Sequence, residues 1–190
     1  MEQVETLLAA DVPCIQIRWK ATGDAKALEE TARIIQHSKT RNALFIVNDR
    51  ADIALLAHAH GLHVGEEDIP VPVARRLLGP AMLIGKTIRN LEGAYKAKEE
   101  GADYVGFGPV FETQTKALPV AALGLEALAH VAQHSPLPVV AIAGISASNI
   151  AQVARAKAHA AAVISDIWRS PQPVQQVLKL QRLFAKAVLS

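Results

Sequence analysis

Short apolar runs rich in Val, Ile and Leu recur along the whole sequence and alternate with segments of helical period. Each run has the length and the β-branched content of a buried strand. Strict alternation of strands and helices requires parallel strands joined by right-handed crossovers, which leaves an α/β barrel or an open doubly wound sheet. The runs that we interpret as strands cover residues 14–19, 43–48, 61–65, 82–87, 104–110, 138–144 and 160–167.

The segments between these runs carry signals for helix formation. Residues 25–38 repeat apolar side chains at helical spacing, and residues 91–100 follow a candidate cap at Asn90 and stop at Gly101. A side-chain cap before the first turn and a glycine after the last turn are typical of helix ends. The pattern therefore predicts helices between the strands.

The order of the elements predicts one particular barrel. Residues 2–10 have a helical pattern, so the chain begins with a helix and has no recognisable strand before it. We therefore predict a single domain over residues 1–190, an α/β fold of the TIM (βα)8-type parallel barrel lacking the first strand, with seven strands recognised. A barrel without that strand leaves two sheet edges that need a cover.

Composition excludes several classes of partner. The formal net charge is only +2 and no basic run could follow a nucleic-acid backbone. The N-terminal residues are acidic, and no apolar run approaches the ~18 residues of a membrane span, so we expect no membrane partner and a cytoplasmic location. Cys14 is the single cysteine and is interpreted as a buried structural thiol.

Polar residues fall where the predicted strands end. In a parallel barrel the carboxyl ends of all strands open onto one face, where the βα loops build the active site. Any one of these residues is also explained as an ordinary loop polar residue, but the whole set favours a shared site. Its members are Gln16, Arg18, Lys20, Asn48, Asp49, Asp68, Thr87, Thr113 to Lys116, Gly144 and Ser165.

Two carboxylates and a cationic pair predict a site for a metal and a diphosphate. Asp49 and Asp68 follow neighbouring strands, and Mg²⁺ prefers such oxygen ligands together with water and substrate phosphate. An ion pair between Asp49 and Arg50 is the alternative for the first carboxylate. Because Mg²⁺ prefers oxygen to imidazole, we assign the nearby His63 to packing or hydrogen bonding.

Gln16, Arg18 and Lys20 alternate along one predicted strand and therefore share a face. Two cations beside a two-carboxylate metal site fit a diphosphate clamp, although pairing with internal carboxylates is the alternative. Gly144 to Ser146 and Ser165 follow the last two strands. Backbone N–H groups at such places cradle a phosphate, so a second phosphate site is expected.

Several motifs resemble those of the thiamine-phosphate synthase family. They begin with IQIRWK at 15–20, IVNDRADIAL at 46–55 and GLHVGEEDIP at 61–70, and the most specific is GFGPVFETQTK, which ends in T-x-T-K at 113–116. PVVAIAGIS at 138–146 and AAVISDI at 161–167 continue the match. The resemblance covers nearly the whole chain in order.

The resemblance implies a transferase that joins a pyrimidine diphosphate to a thiazole phosphate with Mg²⁺ as cofactor. It implies phosphorylated small molecules as partners and leaves homo-oligomer formation open. By the resemblance, Asp49 and Asp68 would hold the metal, and Arg18, Lys20, Lys116 and Thr87 would be catalytic. The pyrimidine diphosphate would contact Gln16, Arg18, Lys20, Asn48, Thr87 and Lys116, and the thiazole phosphate would contact Thr113, Gln114, Thr115, Gly144, Ile164 and Ser165.

The sequence departs from the family pattern at a few positions and keeps two rivals open. Trp19 stands where an acid is common and is assigned to packing, while Thr87 and Ala143 replace a common Ser and Gly. The related thiazole tautomerase uses a His where Arg89 appears here, which favours the synthase. A non-catalytic protein that binds the thiazole phosphate is the rival outside the enzymes, because the first strand is missing.

Overall fold

The computed structural model describes residues 1–20, 22–37, 42–113 and 121–189. These residues form two compact units. The first unit contains Met1–Lys86 with Glu100–Ala102, and the second contains Thr87–Glu99 with Asp103–Ser190. The single domain over 1–190 stays a prediction.

The first unit alternates helices and strands from its first element onward. Its strands lie in the order β1-β2-β3-β4 and are parallel. Its elements are α1 (Glu2–Leu8), β1 (Cys14–Ile17), α2 (Asp24–His37), β2 (Leu44–Asn48), α3 (Ala51–Leu56), β3 (Gly61–Val64), α4 (Val71–Leu78) and β4 (Leu83–Ile88), whose last two residues belong to the second unit.

The second unit continues the alternation with three parallel strands in the order β5-β6-β7. Fully buried side chains on these strands form its core, among them Val105, Phe107, Val139 and Ala141. Its elements are α5 (Leu91–Glu99), β5 (Tyr104–Phe107), α6 (Gly124–His134), β6 (Val139–Ala141), α7 (Ile150–Arg155), β7 (Ala160–Ala161), α8 (Ser165–Trp168) and α9 (Pro173–Val188).

Strand register in the first unit separates a packed face from a polar face. Val47 pairs with Leu62, Leu62 pairs with Ile84, and all three are fully buried. Because side chains alternate along a strand, the neighbouring row of Asn48, His63 and Gly85 lies on the opposite face. The apolar runs therefore fix which face carries polar chemistry.

The predicted positions of the elements are confirmed more closely than their lengths. The Asn90 carboxamide oxygen accepts the Gly93 N–H at 2.8 Å, and Gly101 after α5 has φ +95°, as the cap signals predicted. The strand predicted over 160–167 is wrong beyond its first two residues, since α8 begins at Ser165. The helix α7, which follows the segment of Gly144 to Ser146, begins at Ile150.

One type of loop leads into a strand in both units. His60 precedes β3 and accepts the Phe45 N–H on Nδ1 at 3.0 Å, and His159 precedes β7 and accepts the Val139 N–H on Nδ1 at 3.1 Å. Each histidine thus bonds a backbone donor at the start of the preceding strand. His159 therefore has a structural role.

The single cysteine does not have the environment that the sequence predicted. Cys14 is exposed at the start of β1, so the prediction of a buried thiol is wrong. Desolvation by the surrounding chain still raises the pKa of this thiol, which keeps it in the protonated, unreactive form. In the part of the chain that the structure describes, no helix is long and apolar enough to cross a membrane.

Candidate functional site

The segment that closes β1 presents its polar side chains away from the core. Ile15 and Ile17 are buried, while Gln16, Arg18 and Lys20 are exposed. The burial pattern follows the alternation that the sequence predicts for this strand. Gln16, Arg18 and Lys20 are therefore available to a ligand from one side of the segment.

His63 lies on the polar face of β3, where its Cα pairs with that of Asn48 on β2. Its side chain is only 7% exposed, and burial lowers its pKa to about 4. The charge of Lys86 lowers the pKa further, and that of Asp68 opposes the shift. The imidazole is consequently neutral at neutral pH, which agrees with a packing or hydrogen-bonding role.

A tight turn places Asp49 directly after β2. Its φ is +65°, a region that Asp tolerates better than most residues but that still stores strain. Two backbone bonds hold the turn: the Asp49 N–H donates to the His63 carbonyl at 2.8 Å, and the Arg50 N–H donates to the Asn48 carbonyl at 2.7 Å. The turn fixes the position from which the Asp49 carboxylate extends.

Arg50 forms ion pairs with Asp24 and Asp52, whereas the alternative drawn from the sequence was an ion pair with Asp49. Its guanidinium donates to Asp24 at 2.6 Å and to both oxygens of Asp52, at 2.9 and 2.6 Å. The hydrogen bonds to Asp52 and Asp24 raise the pKa of Arg50, and the bond from Arg50 lowers that of Asp52. These contacts tie the start of α2 to the start of α3, on either side of Asp49.

The loop after β3 holds Asp68 and reveals a residue that the sequence analysis missed. The Gly65 N–H donates to Asp68 Oδ2 at 2.6 Å, and Lys86 Nζ donates to the Gly65 carbonyl at 2.6 Å. The Lys86 ammonium and the Asp68 carboxylate thus form hydrogen bonds to the carbonyl and to the N–H of the same glycine. The sequence did contain a signal for this residue, because Lys86 directly precedes the predicted ligand Thr87 near the end of a predicted strand.

The first unit can provide part of a Mg²⁺ site but not a complete one. Asp49 and Asp68 follow the adjacent strands β2 and β3 and offer hard carboxylate oxygens. Among the described residues, no group of three or more His, Cys, Asp or Glu side chains could hold a metal. The donor set therefore fits an ion that takes its remaining ligands from water and phosphate, as Mg²⁺ does.

The loop after β6 is built from left-handed backbone and side-chain braces. Ala143 and Gly144 have φ of +72° and +70°. Asn149 bridges the loop, because its Oδ1 accepts the Ser146 N–H at 2.8 Å and its Nδ2 donates to the Gly144 carbonyl at 3.0 Å. A Cβ on Gly144 would lie 2.5 Å from the Glu112 carbonyl oxygen, so only glycine fits there.

Asp166 braces the same loop from α8. Its Oδ2 accepts the Ala147 N–H at 3.1 Å and a 2.6 Å bond from Gln176 Nε2 on α9. Ser165, beside it, is the first residue of α8, and Ile164 is 54% exposed directly before it. The structure thus places Gly144 on this loop and Ile164 and Ser165 at the start of α8, and Asp166 joins the helix to the loop.

The remaining predicted residues are placed in part. Thr87 lies on β4 two residues after Gly85 and therefore on the same face of the strand, and Thr113 is half-buried after β5. Gln114, Thr115 and Lys116 lie outside the described residues. Their assigned contacts, including those of the lysine that ends T-x-T-K, stay predictions.

Comparison of the sequence with known proteins identifies consistent relatives. The pattern of the family described as thiamine monophosphate synthase matches residues 1–167. A thiamine-phosphate synthase of Anaeromyxobacter dehalogenans is 48% identical over 96% of this chain and 82% of its own length. One from Myxococcus xanthus is 47% identical over 97% of this chain and 84% of its own. The family resemblance is confirmed.

The fold has a close counterpart among solved structures. A thiamine phosphate pyrophosphorylase from Pyrococcus furiosus matches with a TM-score of 0.88 and 32% identity. The match covers 98% of this chain and 91% of that chain. The prediction of a TIM-type parallel (βα) fold is therefore confirmed, with seven strands within the described residues.

Proposed function

Because the chain belongs to the thiamine monophosphate synthase family, we propose that it condenses 4-amino-2-methyl-5-hydroxymethylpyrimidine diphosphate with hydroxyethylthiazole phosphate to give thiamine phosphate and pyrophosphate. The chain is accordingly an enzyme of the transferase class. The exact substrates and a dependence on Mg²⁺ are the parts that this proposal adds. We place the reaction in the cytoplasm, with phosphorylated small molecules as the partners.

The observation that supports the proposal is the presence of two arrangements of polar groups that differ in construction. The first unit supplies exposed cations on the segment after β1 and carboxylates after β2 and β3. The second unit supplies a braced backbone loop after β6. A diphosphate bound with a metal suits the former, and a phosphate monoester suits the latter.

The reaction forms one C–N bond and breaks one C–O bond. Pyrophosphate departs from the pyrimidine methylene with the electron pair of the C–O bond, and the lone pair of the thiazole nitrogen fills the vacancy on carbon. Negative charge grows on the leaving group, so preorganised cations lower the barrier. Arg18 and Lys20 supply such charge in the described chain, and Lys116 is assigned the same role by the resemblance.

Mg²⁺ would be held by Asp49 and Asp68 and would neutralise charge on the diphosphate when bound. The protein's own contribution is the orientation of these carboxylates. The strained turn after β2 fixes Asp49, and the Gly65 N–H fixes Asp68. No side-chain nucleophile is needed for this chemistry.

Substrate recognition is divided by chemical group. We propose that Gln16, Asn48 and Thr87 contact the pyrimidine diphosphate, since they combine amide and hydroxyl groups with the cations already named. The thiazole phosphate would be held by Gly144 and the adjoining backbone, with Ile164, Ser165 and the segment of Thr113, Gln114 and Thr115. Asn149 and Asp166 keep the Gly144 loop in the required shape.

The test is release of pyrophosphate by the purified chain supplied with both substrates and Mg²⁺. Parallel reactions omit each substrate or add EDTA. We expect release only when all three components are present. Release without the thiazole phosphate, or none from folded protein, would contradict the proposal; thiazole isomerisation would then identify a tautomerase, and ligand binding without turnover a binding protein.

A further inference from the structure

Trp19 lies between the two cations of the predicted diphosphate clamp but is directed away from them. Arg18 and Lys20 are exposed, whereas Trp19 is half-buried on the side of the buried Ile17. The alternation of β1 thus continues through residues 18–20, beyond the strand. Something other than strand pairing must maintain it, because the ladder between β1 and β2 ends at Ile17 and Val47.

A hydrogen bond to helix α2 provides this restraint. The Trp19 indole Nε1–H donates to Thr31 Oγ1 at 2.8 Å. Thr31 is fully buried, and its hydroxyl donates in turn to the Ala27 carbonyl at 2.7 Å. A hydroxyl has one proton to give and lone pairs to accept, so both bonds are satisfied at once.

We infer that Trp19 is a positioning residue, anchored by Thr31, that holds Arg18 and Lys20 toward the diphosphate. The inference rests on the proposed function for the identity of the ligand. Trp19 itself faces the helix, so it acts through its neighbours and not on the substrate. Releasing the indole frees the segment to rotate, which disperses the two cations that are its neighbours in sequence.

The variants are chosen to remove the hydrogen bond while keeping the packing. Thr31→Val replaces the hydroxyl by a methyl group of similar volume, Trp19→Phe removes the indole donor, and Thr31→Ser retains a hydroxyl as the matched control. We expect the first two each to raise the KM for the pyrimidine diphosphate about five- to tenfold, as for the loss of one hydrogen bond. The KM for the thiazole phosphate and the activity of Thr31→Ser should stay near wild type.

The double variant Trp19→Phe/Thr31→Val separates positioning from general damage. Since both changes break the same bond, its KM should equal that of the single variants. Multiplying effects, a rise in both KM values, or unchanged values in all variants would overturn the inference.

An NMR readout judges the anchor without turnover. The sequence has two tryptophans, and Trp168→Phe assigns their indole signals. We expect Thr31→Val, but not Thr31→Ser, to shift the Trp19 indole proton and the amide signals of Arg18 and Lys20. Unchanged amides would overturn the positioning role. An inactive wild-type protein would instead count against the proposed function, and these signals would still decide the role of Trp19.

Discussion

The two units present their polar groups in contrasting ways. The first unit uses a charged cluster, defined here as Arg18, Lys20, Asp49, Asp68 and Lys86. The second unit uses a backbone loop, residues 143–149, whose described braces come from Asn149 and Asp166. Charge in the cluster comes from side chains, while the loop offers backbone that is shaped by positive φ at Ala143 and Gly144.

This difference determines how each region tolerates change. An isosteric exchange in the charged cluster removes charge without adding bulk, so the loss should appear mainly in catalysis or affinity. Gly144 of the backbone loop cannot change without disturbing its neighbours, because a Cβ there meets the backbone of Glu112. Substitutions there should appear in stability as well as in binding.

The largest effect is expected from Asp49→Asn. Asparagine tolerates the left-handed backbone at φ +65° but removes the charge that would hold the metal. Turnover should fall about 100- to 1,000-fold with little loss of stability, measured as pyrophosphate release. Lys116→Ala should cause a similar fall.

Asp52→Asn is the matched control for this carboxylate. Asp52 pairs with Arg50 at the surface. The Asp52→Asn change removes the same charge from the same segment as Asp49→Asn does. Its turnover should stay within about twofold of wild type, as for an exposed ion pair. Near-normal turnover of Asp49→Asn, or an equal loss in Asp52→Asn, would contradict the role of Asp49.

Gly144→Ala tests the backbone loop. The new Cβ adds both positive-φ strain and overlap with Glu112 and Phe111, so the free energy of unfolding should fall by roughly 3 kcal/mol. Urea unfolding measures this loss of stability. The variant protein that remains folded should have a raised KM for the thiazole phosphate. Gly124→Ala is the control, because Gly124 has φ +83° but open space at its Cβ; its cost should be only about 1 kcal/mol.

His63 predicts a pH dependence of stability in the first unit. Its folded pKa of about 4 lies below the ~6.5 of an unfolded histidine, so the unfolded chain binds the proton more readily. The contribution of the neutral His63 side chain to the free energy of unfolding is complete above pH ~6.5 and is lost as the pH falls toward 4. It reaches about 3 kcal/mol. Urea unfolding in EDTA across this range should show a shallower pH slope for His63→Gln than for wild type.

His58→Asn serves as the control for that slope. His58 is exposed and has φ +55°, which asparagine tolerates. Its pH slope should match that of the wild type. If His63→Gln retains the full slope, the titration belongs to other groups and the burial of His63 does not control it.

The smallest effect is expected from Lys86→Met. The variant keeps the length of the side chain but removes the cation that grips the Gly65 carbonyl beside Asp68. The KM for the pyrimidine diphosphate should rise about tenfold, as for one charged hydrogen bond. Lys98→Met removes the same charge from an exposed position on α5 and should change nothing; equal KM values in both variants would exclude Lys86 from the charged cluster.

Sequence patterns predicted the elements well where the structure is locally determined. The apolar runs located all seven strands of the described residues, and Asn90 and Gly101 marked the ends of α5. The patterns placed the ends of β1 and of the last three strands too late in the chain. Residues 160–167 are apolar enough for a longer strand, but α8 begins at Ser165, and periodicity cannot separate these cases in so short a run.

The sequence predicted the members of the charged cluster better than it predicted the hydrogen bonds that hold them in place. Charges at strand ends identified Arg18, Lys20, Asp49 and Asp68 as candidates, and only Lys86 was missed. Its contact with Gly65 joins residues that are 21 positions apart. No local pattern records such a bond, because it depends on which strands become neighbours.

The amino-acid sequence by itself determined the alternation of strands and helices, the polar face of the strands and the family of the chain, because these follow from local periodicity and motifs. Tertiary structure alone decided the strained turn at Asp49, the bracing of the backbone loop by Asn149 and Asp166, and the anchoring of Trp19 by Thr31. The physical reason is that hydrogen bonds between distant residues are directional and short-ranged. They exist only after burial of the apolar runs has brought their partners together.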